Sequence, residues 1–348
     1  MSWGTGSDMA SLLDEIKEQP ESLERAVALN SDTYAEVAAL IAQCNHVLIA
    51  ARGTSDNAAR YAQYVWGMRN ALSVALTTPS LFSIYERPPS LAGALVMGIS
   101  QSGQSPDIIS VLEEGQRQKR PTVAITNDPE SPLAAVGDIV VPLRAGAEIA
   151  VAATKTYTAE LAVVAGISEA IERRRDTLTG LPSLAEAALE MAPAAQAAAV
   201  QIKDVEHAAV LGRGFNLATA FEWALKMQEL SYVVAQPFST ADFLHGPVAV
   251  VDKGYPVLAI VADGPAAGDV TDALRRAIDR GAPTVVVSNS SLTDDLGGQA
   301  LTFEPGIEEW LTPIPAIIVC QLFTYHLTVA QGHDPNSPRG LSKVTRTT

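Results

Sequence analysis

A hydroxyl-rich turn between a buried-type strand and a helix is the most informative feature of this chain. The turn, called the serine turn below, contains Ser100, Gln101, Ser102 and Ser105. Pro106 takes the first helical position, where the N–H that proline lacks would have no partner within the helix. Backbone N–H groups at a helix N-terminus and serine hydroxyls both donate hydrogen bonds to anions. The segment therefore predicts a phosphate cradle. A plain turn with one capping serine is the simpler alternative, but three serines in six residues favour the cradle.

A second set of polar side chains could transfer protons. Glu222, Lys226 and Glu229 are spaced i, i+4 and i+7, which places them on one face of a helix. The same spacing also fits a solvated face with a Glu–Lys pair. His245 precedes a Gly-Pro turn that would hold the imidazole still, although a lone histidine is often structural. A carboxylate and an imidazole close to a bound sugar phosphate would form a general acid/base pair.

Two further segments place polar residues among small and apolar ones. One follows the fifth predicted strand and contains Glu148, and the other is the C-terminal tail around Lys343. Chain ends are usually frayed. Leu341 and Val344 next to the lysine indicate instead that this tail could dock over a cleft, and both interpretations stay open at this level.

The composition limits the class of protein. The chain has 348 residues, of which 47% are hydrophobic, so about two domains with large cores are expected. A net charge of −15 without a basic block argues against nucleic acid and anionic membranes as partners. No apolar run approaches the ~20 residues of a membrane span, and the N-terminus does not resemble a secretion signal. Two isolated cysteines and five scattered histidines predict no metal site and a reduced, cytoplasmic location.

The elements that must position these residues form an internal repeat. Short apolar runs between turn signals predict ten strands in two sets of five, offset by roughly 160 residues. The sequence Ala51-Arg52-Gly53 recurs as Gly212-Arg213-Gly214. The predicted strands are 46–51, 72–78, 94–100, 121–127 and 138–143 in the first set, and 207–212, 233–238, 255–261, 283–289 and 300–304 in the second.

Continuous apolar strands separated by helical patterns predict an α/β fold. Each half should be a doubly wound, five-stranded parallel sheet with helices on both faces, and ligands should bind at the carboxyl ends of the strands. The counterpart of the serine turn in the second half offers Asp263 and no hydroxyl cluster, so the phosphate belongs to the first half. The predicted organisation is a helical lead (1–30), a first domain (31–180), a helical linker (181–202), a second domain (203–335) and a tail (336–348).

Several motifs in a fixed order now allow a resemblance to be stated. They are Gly53-Thr54-Ser55, Ser100-Gln101-Ser102-Gly103, Glu148 to Lys155, Leu211-Gly212-Arg213-Gly214, Glu222 to Glu229, His245-Gly246-Pro247 and Leu341-Ser342-Lys343. Together they resemble the isomerase half of glutamine–fructose-6-phosphate aminotransferase, which is a pair of tandem sugar isomerase (SIS) domains with a flavodoxin-like fold. The resemblance extends over nearly the whole chain.

The resemblance implies a role for each candidate residue. Glu229 would move a proton between C1 and C2 of the sugar, and Lys226 would assist at the ring oxygens. His245 would open the ring and would reach in from the partner subunit of a homodimer. Lys343 would meet the open-chain carbonyl as a Schiff base or as a hydrogen-bond donor. The residues expected to bind the sugar phosphate are Ser55, Ser100, Gln101, Ser102, Ser105, Glu148, Val151, Ala153 and Arg52. The mechanism implies no cofactor and no metal.

Departures from the family pattern shape the predicted reaction. No glutaminase domain is expected in residues 1–30. Arg52 stands where the family has a small residue, Gln104 replaces a Glu, and Ala153 replaces a Ser. These changes resemble stand-alone relatives that break down amino-sugar phosphates. We therefore predict a cytoplasmic, dimeric enzyme that deaminates glucosamine 6-phosphate to fructose 6-phosphate and ammonia.

Other activities remain open at the sequence level. Within the enzyme class they are an aldose–ketose isomerase, a fructosamine-6-phosphate deglycase, and an aminotransferase that uses a separate ammonia source. A sugar-phosphate-sensing module is the alternative from another class, because SIS domains also occur in transcriptional regulators. The combination of Glu229, His245 and Lys343, without a basic DNA-reading segment, favours an enzyme.

Overall fold

The computed structural model describes residues 11–174, 177–297 and 299–343 and contains two five-stranded parallel sheets. All ten predicted strands are present, and the α/β fold with two tandem repeats is confirmed. The first sheet contains β1 (His46–Ala50), β2 (Val74–Leu76), β3 (Ala94–Ile99), β4 (Thr122–Thr126) and β5 (Ile139–Pro142). The second contains β6 (His207–Gly212), β7 (Val234–Ser239), β8 (Val257–Val261), β9 (Thr284–Ser288) and β10 (Gln299–Thr302).

The two sheets have the same topology. Their strand orders are β2-β1-β3-β4-β5 and β7-β6-β8-β9-β10, which is the flavodoxin-like order 2-1-3-4-5 in each half. Chain direction away from the first strand reverses between β1 and β3, and again between β6 and β8. These two switch points open crevices at the carboxyl ends of the strands, where ligands bind in folds of this kind.

Burial explains which apolar runs become long strands. Every residue of β3, β4, β8 and β9 is buried, because helices cover both faces of each sheet. The edge strand β2 is shorter than the predicted run 72–78. Ala71 ends the preceding helix in a left-handed conformation, and the Leu72 N–H donates to the Trp66 carbonyl, so pairing with β1 starts only at Val74.

Helices connect and cover the strands. In the first half they are α1 (Leu12–Lys17), α2 (Gln19–Leu29), α3 (Ser31–Ile41), α4 (Gly53–Asn70), α5 (Ser80–Ser83), α6 (Pro106–Arg117), α7 (Pro132–Ala135) and α8 (Lys155–Glu172). The remainder are α9 (Leu181–Leu189), α10 (Ala192–Gln201), α11 (Leu217–Lys226), α12 (Thr240–Leu244), α13 (Ala267–Asp279) and α14 (Pro313–Ala330). A π-helical turn, Met227–Ser231, extends α11.

The two halves share a helical junction. Helix α4 of the first half packs against α8 and against α11 of the second half, and α14 packs against α8, α10 and α11. The Tyr61 hydroxyl on α4 donates to the Trp310 carbonyl just before α14, with the two oxygens 2.7 Å apart. This junction brings the first turn of α4 and the end of α11 together, so residues from both halves can act on one ligand.

The most apolar helix lies in the core. Among the described residues, one segment, Glu309–Ala330, is long and apolar enough to cross a membrane by length and composition, with a mean hydropathy of 1.4. The expectation that no apolar run approaches a membrane span is therefore wrong for this segment. The segment is apolar because it is a core helix. In its most apolar stretch, 78% is buried inside the protein, between the helices of the junction.

Candidate active site

The serine turn lies at the first switch point and presents free hydrogen-bond donors. It begins where β3 ends and leads into α6, whose N-cap is Ser105. The backbone N–H groups of Gln101, Ser102 and Ser105 donate to no acceptor in the described part of the chain. Unpaired N–H groups beside a helix N-terminus favour a bound anion. The geometry therefore matches what a phosphate requires.

The serine side chains are positioned by the turn itself. The Ser100 hydroxyl accepts from the Gly103 N–H, and the Ser102 hydroxyl accepts from the Gln104 N–H. The Ser105 hydroxyl does not cap α6. A hydroxyl that accepts one bond still has its own hydrogen to donate. Gly103 has a φ of 61°, and a Cβ at this position would lie 2.1 Å from the Ser131 hydroxyl, so only glycine fits the turn.

Arg52 faces the same crevice from the end of β1. Its Nε lies 2.7 Å from the buried Asp107 carboxylate in the first turn of α6, and its side chain is 48% exposed. Within the described residues the two Nη groups have no partner. The second half repeats this pair, because Arg213 Nε lies 3.7 Å from Asp269. Asp107 thus fixes the guanidinium while its outer edge remains available to an anion.

Lys226 joins two carboxylates at the end of α11. Its Nζ lies 3.4 Å from Glu222 and 2.5 Å from Glu229. The predicted single face is therefore present, although Glu229 lies in the π-helical turn rather than in an ordinary helical turn. Single π turns inside helices are frequent at functional sites. Glu229 is half-buried and accessible, whereas Glu222 and Lys226 are buried.

Glu222 connects the cluster of Glu222, Lys226 and Glu229, called the acid/base cluster below, to the first half. It accepts from the Thr54 hydroxyl at 3.0 Å and from the Asn57 amide at 2.8 Å, both in the first turns of α4. Burial raises the pKa of Glu222 to about 7, although Lys226 and Asn57 lower it. Burial lowers the pKa of Lys226, but Glu229 and Glu222 outweigh this effect and raise it. The two carboxylates therefore favour the charged form of Lys226.

The C-terminal tail reaches the first half and ends at Glu148. Asn336 accepts from the Leu12 N–H, and the Arg339 N–H donates to the Tyr232 hydroxyl directly after the π turn. Lys343 Nζ then lies 2.6 Å from Glu148 Oε2. The path of the tail is described as far as Lys343, and residues 344–348 lie outside the described residues. The expectation that the tail folds over the sugar site stays a prediction.

Glu148, which the sequence analysis selected as a substrate-binding candidate, is buried and accepts several hydrogen bonds. It accepts from the Thr154 N–H, the Thr156 N–H and the Thr156 hydroxyl at the start of α8. These three donors and Lys343 compensate the charge of its carboxylate. The neighbouring Val151 and Ala153 are half-buried. The loop before α8 is thus held rigidly around the end of the tail.

The helical lead supports this loop from outside. Glu15 on α1 accepts from the Ala150 N–H at 3.2 Å and from the Ile149 N–H, and Glu18 forms an ion pair with the buried Lys155. Burial raises the pKa of Glu15, against the lowering effect of these backbone donors. The first residues of the lead, 1–10, lie outside the described residues.

Two predicted residues behave differently from the others. His245 follows α12 and is exposed, and in the described structure no hydrogen bond joins its side chain to Glu229 or Lys226. Its contribution from a partner subunit stays a prediction. Ser55 is buried, and its hydroxyl lies 2.7 Å from Oε1 of Glu160, a buried carboxyl on α8 that the sequence analysis did not consider.

At the second switch point, a carboxylate side chain of the protein lies in the crevice. A Cβ on Gly264 would lie 2.5 Å from Glu309 Oε2, and one on Gly214 would lie 3.6 Å from Oε1. The Glu309 carboxylate therefore lies against both glycines, in the crevice that corresponds to the phosphate cradle. Burial and the nearby Asp263 raise the pKa of Glu309. Two acidic groups at this position disfavour an anionic ligand.

Neither a large cavity nor a metal cluster competes with this site. A cavity of about 770 Å³ lies between α3 and α8, lined among others by Tyr34, Ala38 and Gly166. None of the candidate residues lines it, so the chemistry of the residues rather than the size of a cavity identifies the site. Within residues 11–174, 177–297 and 299–343, no group of three His, Cys, Asp or Glu side chains could hold a metal ion.

The comparison with protein families agrees with the repeat. The SIS domain family matches residues 40–167 and 201–330, one match for each sheet. The chain belongs to the SIS domain family. The two matches cover the serine turn, Glu148, the acid/base cluster on α11 and His245.

Individual relatives place the chain within this family. It is 31% identical over 345 residues to the isomerizing glutamine–fructose-6-phosphate aminotransferase of Thermococcus kodakarensis and 30% identical over 350 residues to that of Thermotoga maritima, covering 95% and 94% of this chain. This SIS chain spans 57% of the length of each. The C-terminal domain of glucosamine-fructose-6-phosphate aminotransferase from Francisella tularensis superimposes with a TM-score of 0.86 at 27% identity, covering 95% of this chain and 99% of that domain. The homologous region is thus the isomerase part of those enzymes.

Proposed function

We propose that this SIS protein deaminates glucosamine 6-phosphate to fructose 6-phosphate and ammonia. The observation that carries the proposal is the carboxylate pair bridged by Lys226. Through Glu222 this pair is hydrogen-bonded to the first turn of α4, beside the N–H groups of the serine turn that donate to no described acceptor. The relatives are named as an isomerizing glutamine–fructose-6-phosphate aminotransferase and a glucosamine-fructose-6-phosphate aminotransferase, which supports a hexose 6-phosphate as the substrate class.

Phosphate binding is the first step of the proposed mechanism. The N–H groups of Gln101, Ser102 and Ser105 and the hydroxyls of Ser100 and Ser102 surround the phosphate oxygens. Because the helix N-terminus of α6 faces the same point, the phosphate is held without a lysine. The sugar carbons then extend from the first switch point toward α11.

Proton transfer between C1 and C2 is the central chemical step. His245, supplied by a second copy of the chain, opens the pyranose ring to the aldehyde. Glu229 removes the C2 proton and returns a proton to C1, which converts the 2-amino aldehyde into the C2 imine. Lys226 forms an ion pair with Glu229 and stabilises the negative charge that develops on the C1 oxygen of the enolamine intermediate.

Hydrolysis of the imine completes the reaction. Water adds to C2, the C–N bond breaks, and ammonia leaves as fructose 6-phosphate forms, so water is the only co-reactant. Lys343 contributes as a hydrogen-bond donor to the sugar oxygens, and its ion pair with Glu148 holds it in place. A Schiff base at Lys343 requires prior proton transfer to Glu148.

A fructosamine-6-phosphate deglycase is the second candidate, and Arg52 favours it. The Asp107 carboxylate fixes the guanidinium and leaves both Nη groups free of described partners. A free guanidinium edge matches a carboxylate in bidentate geometry. A fructosamine 6-phosphate whose C1 amino group carries an amino acid would present such a carboxylate near C1.

The experiment that tests the proposal measures release of ammonia, or of free amino acid, from a panel of phosphates. The panel contains glucosamine 6-phosphate, fructosamine 6-phosphates with and without an amino-acid substituent, and glucose 6-phosphate. Ammonia from glucosamine 6-phosphate supports deamination, and amino acid from substituted fructosamines supports the second candidate. Interconversion of glucose and fructose 6-phosphates alone would refute both and leave a simple isomerase.

Replacement of Ser102 by Asp is expected to abolish binding of phosphorylated sugars. The new carboxylate would occupy the N–H cradle and repel the phosphate dianion. Calorimetric titration with fructose 6-phosphate measures the effect, and the half-exposed position of Ser102 predicts that the thermal transition changes little. A Ser110→Asp variant on α6 is a control for added charge outside the turn. Unchanged affinity in Ser102→Asp would contradict the phosphate assignment.

A further inference from the structure

A buried carboxyl that the mechanism does not use contacts a residue of the phosphate site. Glu160 lies on α8 and is only 1% exposed, and its Oε1 lies 2.7 Å from the Ser55 hydroxyl. Ser55 is in the first turn of α4, at the switch point next to the serine turn. Its hydroxyl has one hydrogen, which can be donated in only one direction at a time.

The surroundings of Glu160 favour its neutral form. Among the described residues, Oε2 of Glu160 has no hydrogen-bond partner, and neither has the buried hydroxyl of Tyr157 one helical turn away. An ionised oxygen that is buried without a partner is much more costly than a neutral carbonyl oxygen. In agreement with this geometry, burial raises the pKa of Glu160 to about 8, although the Ser55 hydrogen bond lowers it.

Other charged and titratable groups act on Glu160 from α11, from the loop before α8 and from α8 itself. Glu222 and Lys226 face it from α11, Glu148 from the loop before α8, and Tyr157 from α8 itself. Glu222 and Glu148 disfavour a further negative charge, and Lys226 favours one. In the described structure Lys226 makes ion pairs with Glu222 and Glu229 and none with Glu160.

We propose that Glu160 is a positioning residue that controls whether Ser55 can donate its hydrogen to the bound sugar phosphate. When Glu160 is protonated, its O–H donates to Ser55, and the Ser55 hydrogen is free for the ligand. When Glu160 is ionised, Ser55 must donate to Glu160 and offers the ligand only lone pairs. An anionic or oxygen-rich ligand then loses a donor and faces an acceptor. The proposal rests on the proposed function, because that function places the sugar phosphate at Ser55.

The proposal has a definite sign with respect to pH. Below about pH 8 Glu160 is neutral and Ser55 is a donor, so the ligand binds tightly. As the pH rises through this value, affinity falls. Because binding requires the protonated carboxyl, the protein takes up protons from solvent when the ligand binds above pH 8. Titration of the ligand's phosphate contributes little to this fall in affinity above pH 8. Its second pKa is about 6, so it is already a dianion in this range.

The test measures binding of glucitol 6-phosphate, which has no carbonyl and cannot react, by calorimetry from pH 7 to 9.5. Loss of one hydrogen bond to a charged ligand corresponds to roughly a tenfold loss of affinity. We expect about this decrease in the wild-type protein. In Glu160→Gln the amide NH₂ donates to Ser55 at every pH, so the affinity should not depend on pH over this range. A Glu169→Gln variant changes another buried carboxyl on α8 and should retain the wild-type profile.

Two further measurements make the test decisive. Titration of the wild-type protein at pH 8.5 in buffers of different ionisation enthalpy should show proton uptake, and this needs no variant to fold. In a Ser55→Ala background, Glu160→Gln should no longer alter the pH profile. Equal profiles in the wild type and Glu160→Gln, or no proton uptake, would overturn the positioning role while leaving the proposed function intact. If glucitol 6-phosphate does not bind the wild-type protein at any pH, the proposed function itself fails.

Discussion

Glu229→Gln is expected to lower turnover by about 10²–10⁴-fold for every substrate, because an amide cannot accept the C2 proton. The amide has nearly the same shape as the carboxylate, and Lys226 keeps its ion pair with Glu222. The fold and the affinity for glucitol 6-phosphate should therefore be retained. The direct measurement is exchange of the C2 hydrogen of the substrate with deuterated solvent, followed by NMR.

His245→Ala is the matched comparison for Glu229→Gln. It removes ring opening, so its activity should partly return with substrates that have a large open-chain fraction. Glu229→Gln should show no such recovery, since every substrate needs the proton transfer. Exchange of the C2 hydrogen at the wild-type rate in Glu229→Gln would show that another group is the base. The same recovery in both variants would contradict the separate roles of the two residues.

Loss of Lys343 is expected to reduce turnover by about 10²–10³-fold, the usual effect of removing one donor that stabilises developing negative charge. In Lys343→Ala the tail remains attached through Asn336 and Arg339, and Glu148 keeps its three donors at the start of α8. The thermal transition should therefore change little. Deletion of residues 341–348 should have the same effect on turnover.

A control lysine and a trapping experiment complete this prediction. Lys253→Ala, an exposed lysine of the second half, should retain wild-type turnover. Borohydride in the presence of fructose 6-phosphate should trap an adduct on Lys343 only if the Schiff base forms, so a lost activity without an adduct would assign the donor role. Full activity after deletion of the tail would contradict any role of Lys343 in the reaction.

The fold could be predicted from local patterns because each strand is an apolar run and the repeat supplies two independent copies of the same evidence. The observed strand ends differ from the predicted ends by a few residues where the conformation of one residue sets the boundary. The left-handed Ala71 before β2 is an example. The serine turn was equally accessible, since its donors are consecutive in the chain. The cluster of Glu222, Lys226 and Glu229 follows from helical spacing alone, and its contacts agree with that spacing.

Features that depend on distant segments could not be predicted in this way. The π turn at Glu229 is not signalled by any spacing rule. Glu160 meets Ser55 across 105 positions, and Glu148 meets Lys343 across 195. In sequence, Glu160 is a charged residue followed by the apolar run from Leu161 to Ile167, and that mismatch was the available signal. Such residues become visible only when the helices are brought together.

The carboxylate of Glu309 has a consequence for ligand stoichiometry. A chain with two copies of one fold could bind two ligands, one in each crevice. Since Glu309 lies against Gly214 and Gly264, the second crevice already contains an anion that belongs to the protein itself. Under the proposed function, we expect saturation at a single equivalent of sugar phosphate per chain. One copy of the fold would then bind the ligand, and the other copy would supply the helix that carries Glu229.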